Sequence, residues 1–122
     1  MRTYSPGMIK AVALLARKSG LTHAEFVDYY ENNHAKLIRS LLPQIREYRR
    51  NYLDVASGIG ADGAPTPDFD VISEFVFDDR AAYDDMLATH ARPEVAAAIE
   101  ADEENFLDRS RNRMYIVDIR ES

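Results

Sequence analysis

The order of apolar and amphipathic segments predicts an α+β fold, β-α-β-β-α-(α)-β, with a four-stranded antiparallel sheet that carries its helices on one face. Three observations lead there. Two short segments, 8–16 and 69–77, are apolar on both alternating sets of side chains. A helix between them opens on a complete capping signature. A further strand-like segment is rich in tyrosine yet polar on both sets.

Taken in order, "MIKAVALLA" (8–16) follows Pro6-Gly7 and is too short and too uniformly apolar for a surface helix, which predicts a strand buried on both faces. Thr22 and Glu25 form a T-x-x-E capping box, each side chain satisfying a backbone N–H left free at a helix start. That helix is expected to reach Leu42, just before Pro43. "IREYRRNYLDV" (45–55) suits an edge strand better than a central one. The glycine- and proline-bearing segment 56–68 predicts a loop. In "FDVISEFVF" (69–77), Phe69, Val71, Phe75 and Phe77 alternate on one side and Ile72 and Val76 on the other. Asp78 or Asp79 caps a helix that ends near Thr89, and Pro93 fits the first turn of another over 93–107, with Val95, Ile99 and Phe106 on one stripe. "MYIVDI" (114–119) predicts the last strand.

This order is the split βαβ, or ferredoxin-like, arrangement, in which the first and third strands are central. Those are the two segments apolar on both faces, and the polar second strand falls at an edge. Helices on one face leave the other uncovered, and here it carries large apolar side chains from at least two strands. A patch of that kind is seldom left in water. The sequence therefore predicts a homodimer through the sheet face, a dimeric α+β barrel.

At 122 residues the chain is one domain's worth, and 46% hydrophobic with 30% charged residues is the composition of a globular protein. A formal charge of -6 opposes binding to nucleic acid or anionic lipid, and the basic group Arg46, Arg49 and Arg50 is short and isolated. The absence of cysteine removes disulfides and thiolate chemistry. The apolar run near the N-terminus is interrupted by Lys10, and no stretch approaches the length of a membrane span, so a cytoplasmic protein is expected.

"FVDYYENNHAKL" (26–37) raises the functional question. At about 100° per residue, Phe26, Tyr30, Leu37 and Leu41 share one narrow sector flanked by Val27 and Ile38, and His34 falls inside it. Two readings stand. His34 is either a neutral core histidine hydrogen-bonded to a carbonyl or tyrosine hydroxyl, or it projects into a pocket with a nitrogen that titrates near physiological pH. In the second reading Tyr30, at i−4, orients the ring or contributes its own hydroxyl.

The run over 8–38, continued by "REYRRNYL", "DVISEFVFDD" and "ADEENFLD", resembles the EthD-domain family of dimeric α+β barrels over residues 8–118. Its most specific piece is F-x-x-Y-aromatic-x-x-x-H-A-x-L at Phe26 to Leu37, and D-E-x-N-F-x-D at Asp102 to Asp108 supports it. Tyr30 stands where members often carry tryptophan. The resemblance implies a homodimer with a cavity between sheet and helices and a histidine pointing into it. The domain is often filed under oxidoreductases and xenobiotic degradation, and similar barrels include polyketide cyclases, cofactor-free monooxygenases, isomerases and decarboxylases. Fold does not choose among these.

His23, beside the capping threonine, is expected in solvent, and His90 is expected to act at a helix C-terminus. Their spacing from His34 fits no metal motif, so neither metal nor cofactor is expected; some related barrels bind haem, but nothing local supports it here. On the second strand Tyr48, Arg50 and Tyr52 share one face, and whichever set meets the helices is expected near the cavity mouth, unless these are edge-strand residues that discourage pairing. The leading reading is a cofactor-free enzyme for a hydrophobic, aromatic or polyketide-like carbonyl compound, with His34 as general acid or base, Tyr30 as its partner or a donor to an enolate, and Phe26, Leu37, Tyr48 and Tyr52 holding the ligand. Its rival is a non-catalytic protein that holds a hydrophobic metabolite for a partner oxygenase.

Overall fold

The computed structural model describes residues 4–122. Strand β1 (Ile9–Leu15) leads to helix α1 (His23–Tyr29), a π-helical turn at Tyr30–His34 and helix α2 (Ala35–Leu41). Strands β2 (Glu47–Tyr52) and β3 (Val71–Phe77) follow, then helices α3 (Arg80–His90) and α4 (Pro93–Glu103) and strand β4 (Arg113–Ile116). The four strands are antiparallel in the order β2-β3-β1-β4, so the two strands that read as apolar on both faces are central and the polar one is at an edge.

Register fixes which side chains meet the helices. Ala11 pairs with Phe75, Ala13 with Ser73, and Tyr48 with Phe75, placing these on one face of the pleat. They pack under the helices in two apolar clusters. One gathers Ile38, Leu42, Tyr83, Met86 and Ile99 over Ala11 and Phe77. The other gathers Phe26, Tyr30, Phe106 and Leu107 over Ala13, Leu15 and Val71. Lys10, Val12, Leu14, Ile72 and Glu74 point the other way, where no helix of the described residues lies.

The start chemistry is as expected. Thr22 Oγ1 accepts from the Glu25 N–H at 3.1 Å while the Glu25 carboxylate accepts from the Thr22 N–H at 2.9 Å, and Asp79 accepts from the Ala82 N–H at 2.8 Å. The long first helix differs from the expectation of one regular helix. A π turn holds one extra residue, which turns everything downstream back by about 100°. Ile38 and Leu42 are therefore buried, at 6% and 4% exposed, while Leu37 and Leu41 are only partly covered.

The last helix also ends earlier, at Glu103 rather than 107. Residues 106–108 leave it to pair with 16–18, through Lys18 N–H to Phe106 O and Asp108 N–H to Ala16 O, both at 2.9 Å. Strands β2 and β4 are shorter than 45–55 and 114–119. No helix among the described residues is long and apolar enough to cross a membrane.

Candidate functional site

Between the two apolar clusters lies a cavity of about 300 Å³. Its helix wall is Tyr30, His34, Ile38 and Leu42, and its sheet wall is Ala13, Leu15, Tyr48 and Phe75. Met86 and His90 from α3, and Ile99 and Glu103 from α4, close the far side. The alanine at 13 on a central strand leaves room that a larger side chain would fill.

His34 is 3% exposed and lines this cavity. Its Nδ1 lies 2.8 Å from Asp102 Oδ2. An ionised carboxylate only accepts, so Nδ1 carries the shared proton and Nε2 keeps its lone pair in the neutral ring. The second oxygen of Asp102 accepts from the Tyr29 hydroxyl at 2.6 Å, and the Asn105 amide donates to that hydroxyl at 2.8 Å. Phe106 packs on the imidazole with ring centroids 4.9 Å apart. The ring is thus fixed from α4 and its following turn, and Nε2 has no partner among the described residues.

This corrects the expectation that Tyr30 orients the ring. Tyr30 meets the imidazole at 5.6 Å between centroids, but its hydroxyl is taken by the Tyr48 hydroxyl at 2.6 Å and by Ser73 Oγ at 2.7 Å. Burial pushes the Tyr30 phenol up to about 12. Tyr48 does line the cavity, stacked on Phe75 at 4.7 Å with the Arg50 guanidinium over its ring, and burial raises its phenol well above the ordinary value.

The other expected ligand contacts lie elsewhere. Phe26 is fully buried beneath Tyr30 and Phe106 and does not border the cavity. Leu37 is turned away by the π turn, and Ile38 takes its place. Tyr52 packs edge-on to Phe26 and donates to Glu31, which also receives two hydrogen bonds from Arg50 at 2.9 and 2.7 Å. Its group braces the helix on β2 outside the cavity. His23 is exposed at the start of α1.

Among the groups with chemistry that were not anticipated at the site are Asp102, Glu103 and His90, together with Arg109, Asn112 and Arg113 on the cavity lining. Burial pushes the Glu103 carboxyl up, against the opposing pull of His34 and Arg109, whose Nε stands 3.3 Å away. His90 does end α3, and it also reaches the cavity wall. Among the described residues no three His, Cys, Asp or Glu side chains are placed to hold a metal ion together.

The EthD domain matches residues 18–110 of this sequence, a span that contains Tyr30, His34, Tyr48, Ser73, Asp102 and Glu103. The chain belongs to the EthD family. Solved structures similar to this EthD chain include an ethyl tert-butyl ether D family protein from Bacillus halodurans, with 20% identity, TM-score 0.62, and 93% of this chain and 99% of that one covered. An EthD-like protein from Ralstonia eutropha has 24% identity, TM-score 0.62, and coverage of 92% and 91%. A dimeric ferredoxin-like protein of unknown function from Thermobifida fusca has 18% identity, TM-score 0.54 and 97% coverage of each chain. At these identities the likeness shows a shared fold. No curated protein matches this EthD chain.

Proposed function

We propose that this EthD protein binds a hydrophobic, aromatic or polyketide-like carbonyl compound in the 300 Å³ cavity and catalyses proton transfer on it, with His34 as general acid–base. The observation that carries this is the 2.8 Å contact between Nδ1 of His34 and Asp102, which fixes the ring at the wall of a cavity that also carries Ile38, Leu42, Phe75, Met86 and Ile99. A core histidine needs a partner for its N–H. This one has a carboxylate behind it and an unpaired nitrogen before it, the arrangement that fixes a base and stabilises the imidazolium it becomes.

The step needs no further reagent. Nε2 takes the proton from a carbon next to the carbonyl, the C–H electrons form a C=C bond, and the carbonyl π electrons pass to oxygen as an enolate. Return of the proton to the same or another carbon completes exchange or isomerisation. Tyr48 stacked on Phe75 offers a flat wall for a ring.

The test is deuterium incorporation beside the carbonyl of 1-tetralone in D₂O, followed by NMR with the wild type and with His34→Ala. Exchange that falls to the uncatalysed rate in the variant supports the assignment. Equal exchange in both sinks it. Binding without exchange in either protein assigns the cavity to the holding of a metabolite for a partner enzyme.

The working unit in this proposal is a homodimer. Val12, Leu14 and Ile72 stand on the sheet face away from the helices, around the Lys10–Glu74 ion pair. Proteins of the same fold from Bacteroides fragilis and Thermobifida fusca are described as dimeric. A second sheet packed on this one covers the patch.

A further inference from the structure

Three hydroxyls run in a line from the middle of the sheet to the cavity: Ser73 Oγ, 2.7 Å from Tyr30 OH, which is 2.6 Å from Tyr48 OH. Each hydroxyl carries one proton; if both neighbours donated to Tyr30, its own proton would be stranded without an acceptor in a site 1% exposed, which leaves two directions for the chain. In one, Ser73 donates to Tyr30, Tyr30 donates to Tyr48, and the Tyr48 proton is left over. In the other, Tyr48 donates to Tyr30, Tyr30 to Ser73, and the Ser73 proton is left over.

The surroundings distinguish the two. Ser73 is 0% exposed, it does not border the cavity, and Tyr30 is its one side-chain partner among the described residues. A proton left over there would be buried with no acceptor, a costly arrangement in a low-dielectric interior. Tyr48 lines the cavity, and a proton left over there meets whatever the cavity holds. Charge acts the same way, because Arg50 over the Tyr48 ring polarises that phenol towards donation.

We infer that the Ser73–Tyr30–Tyr48 chain is polarised towards the cavity and makes Tyr48 a fixed hydrogen-bond donor, so that the ligand carries an acceptor oxygen, a carbonyl that becomes an enolate, facing Tyr48 while its acidic C–H faces His34. The inference deepens the ligand-site reading above and rests on it. It also gives Tyr30 its place. Tyr30 is a positioning residue, which passes the direction set at Ser73 to the group that touches ligand, and two hydrogen-bonded hydroxyls behind Tyr48 strengthen its donation as negative charge grows on the ligand.

Neutron diffraction of the deuterated, ligand-free protein reads the direction without any substrate. The expected map has deuterium on Ser73 Oγ towards Tyr30, on Tyr30 towards Tyr48, and on Tyr48 towards the cavity. Deuterium on Tyr48 directed at Tyr30 overturns the inference and leaves the assignment of His34 standing.

A binding comparison reads the consequence. By ligand-observed NMR, 1-tetralone is expected to bind the wild type at least fivefold more tightly than tetralin, which has the same rings without the oxygen. Tyr48→Phe is expected to abolish that preference, whereas His34→Ala is expected to keep it. An undiminished preference in Tyr48→Phe overturns the donor role. Failure of both probes to bind the wild type counts against the ligand site itself, while the neutron map still decides the direction of the chain.

Discussion

His34 and Asp102 lie 68 positions apart in sequence and 2.8 Å apart in space, joining the π turn of the first helix to the end of α4. Asp102 is not free to follow the imidazole, because Tyr29 holds its other oxygen at 2.6 Å. Replacement by asparagine keeps the shape and removes the charge. Asp102→Asn is expected to slow His34-dependent exchange at least tenfold, since the imidazolium loses its counter-charge. It also weakens the bond that the half-buried Tyr29 hydroxyl donates, with a stability loss of about 1 kcal/mol in urea unfolding. Exchange at the wild-type rate in this variant would remove Asp102 from the mechanism.

His34 itself is expected to matter little for folding. A leucine fills a similar volume against Phe106 and Tyr30, and Asp102 keeps its bond from Tyr29. His34→Leu is therefore expected to change stability by no more than about 1 kcal/mol at pH 7 and fixed protein concentration, compared by thermal and urea unfolding. A loss above about 3 kcal/mol would return His34 to the role of a core histidine.

The legible and the hidden parts of this protein differ in the range over which their signals act. Strand order followed from alternation within nine-residue segments, and the helix start from Thr22 and Glu25, three positions apart. The π turn was hidden by treating 26–42 as regular, although the series Phe26, Tyr30, His34, Ile38, Leu42 repeats every four residues. At 3.6 residues per turn such a series drifts around the helix, and one π turn brings it back to a single face. That drift is why Leu37 was expected at the cavity and Ile38 is found there. The tautomer-setting partner of His34 had no local signal at all. Asp102 lies in the D-E-x-N-F-x-D segment whose Phe106 also packs on the ring, so that segment carried the resemblance without showing what it does.

The brace outside the cavity gives a pH dependence. Two hydrogen bonds from Arg50, opposed by partial burial and helped by the Tyr52 hydroxyl, hold the Glu31 carboxyl below its ordinary value. A carboxyl with a lowered folded-state pKa contributes stability that is present above the unfolded value, about 4.3, and is lost as pH falls through the folded value. Glu31→Gln is expected to cost about 1 kcal/mol at pH 7, because the pair is partly exposed and screened. As pH falls through the folded value, the variant and the wild type should converge in urea unfolding. A difference that persists below that value would show that the brace works through packing of Tyr52 and Arg50 and not through charge.

The uncovered sheet face is tested by making it unwelcoming to its own copy. Leu14 sits on central strand β1 opposite Ile72, both directed away from the helices, so an arginine at 14 can reach solvent in a monomer without disturbing either apolar cluster. Across a two-fold interface the same arginine meets its equivalent near the axis, and like charges brought together in an apolar contact are strongly unfavourable. Light scattering coupled to size exclusion is expected to give the mass of two chains, about 28 kDa from the 13.9 kDa protomer, for the wild type and of one chain for Leu14→Arg. Arg49→Ala, on the same face but on edge strand β2, is expected to leave the dimer intact. A wild type that elutes as one chain, or a Leu14→Arg variant that still elutes as two, would show that the sheet face is not where copies of this protein meet.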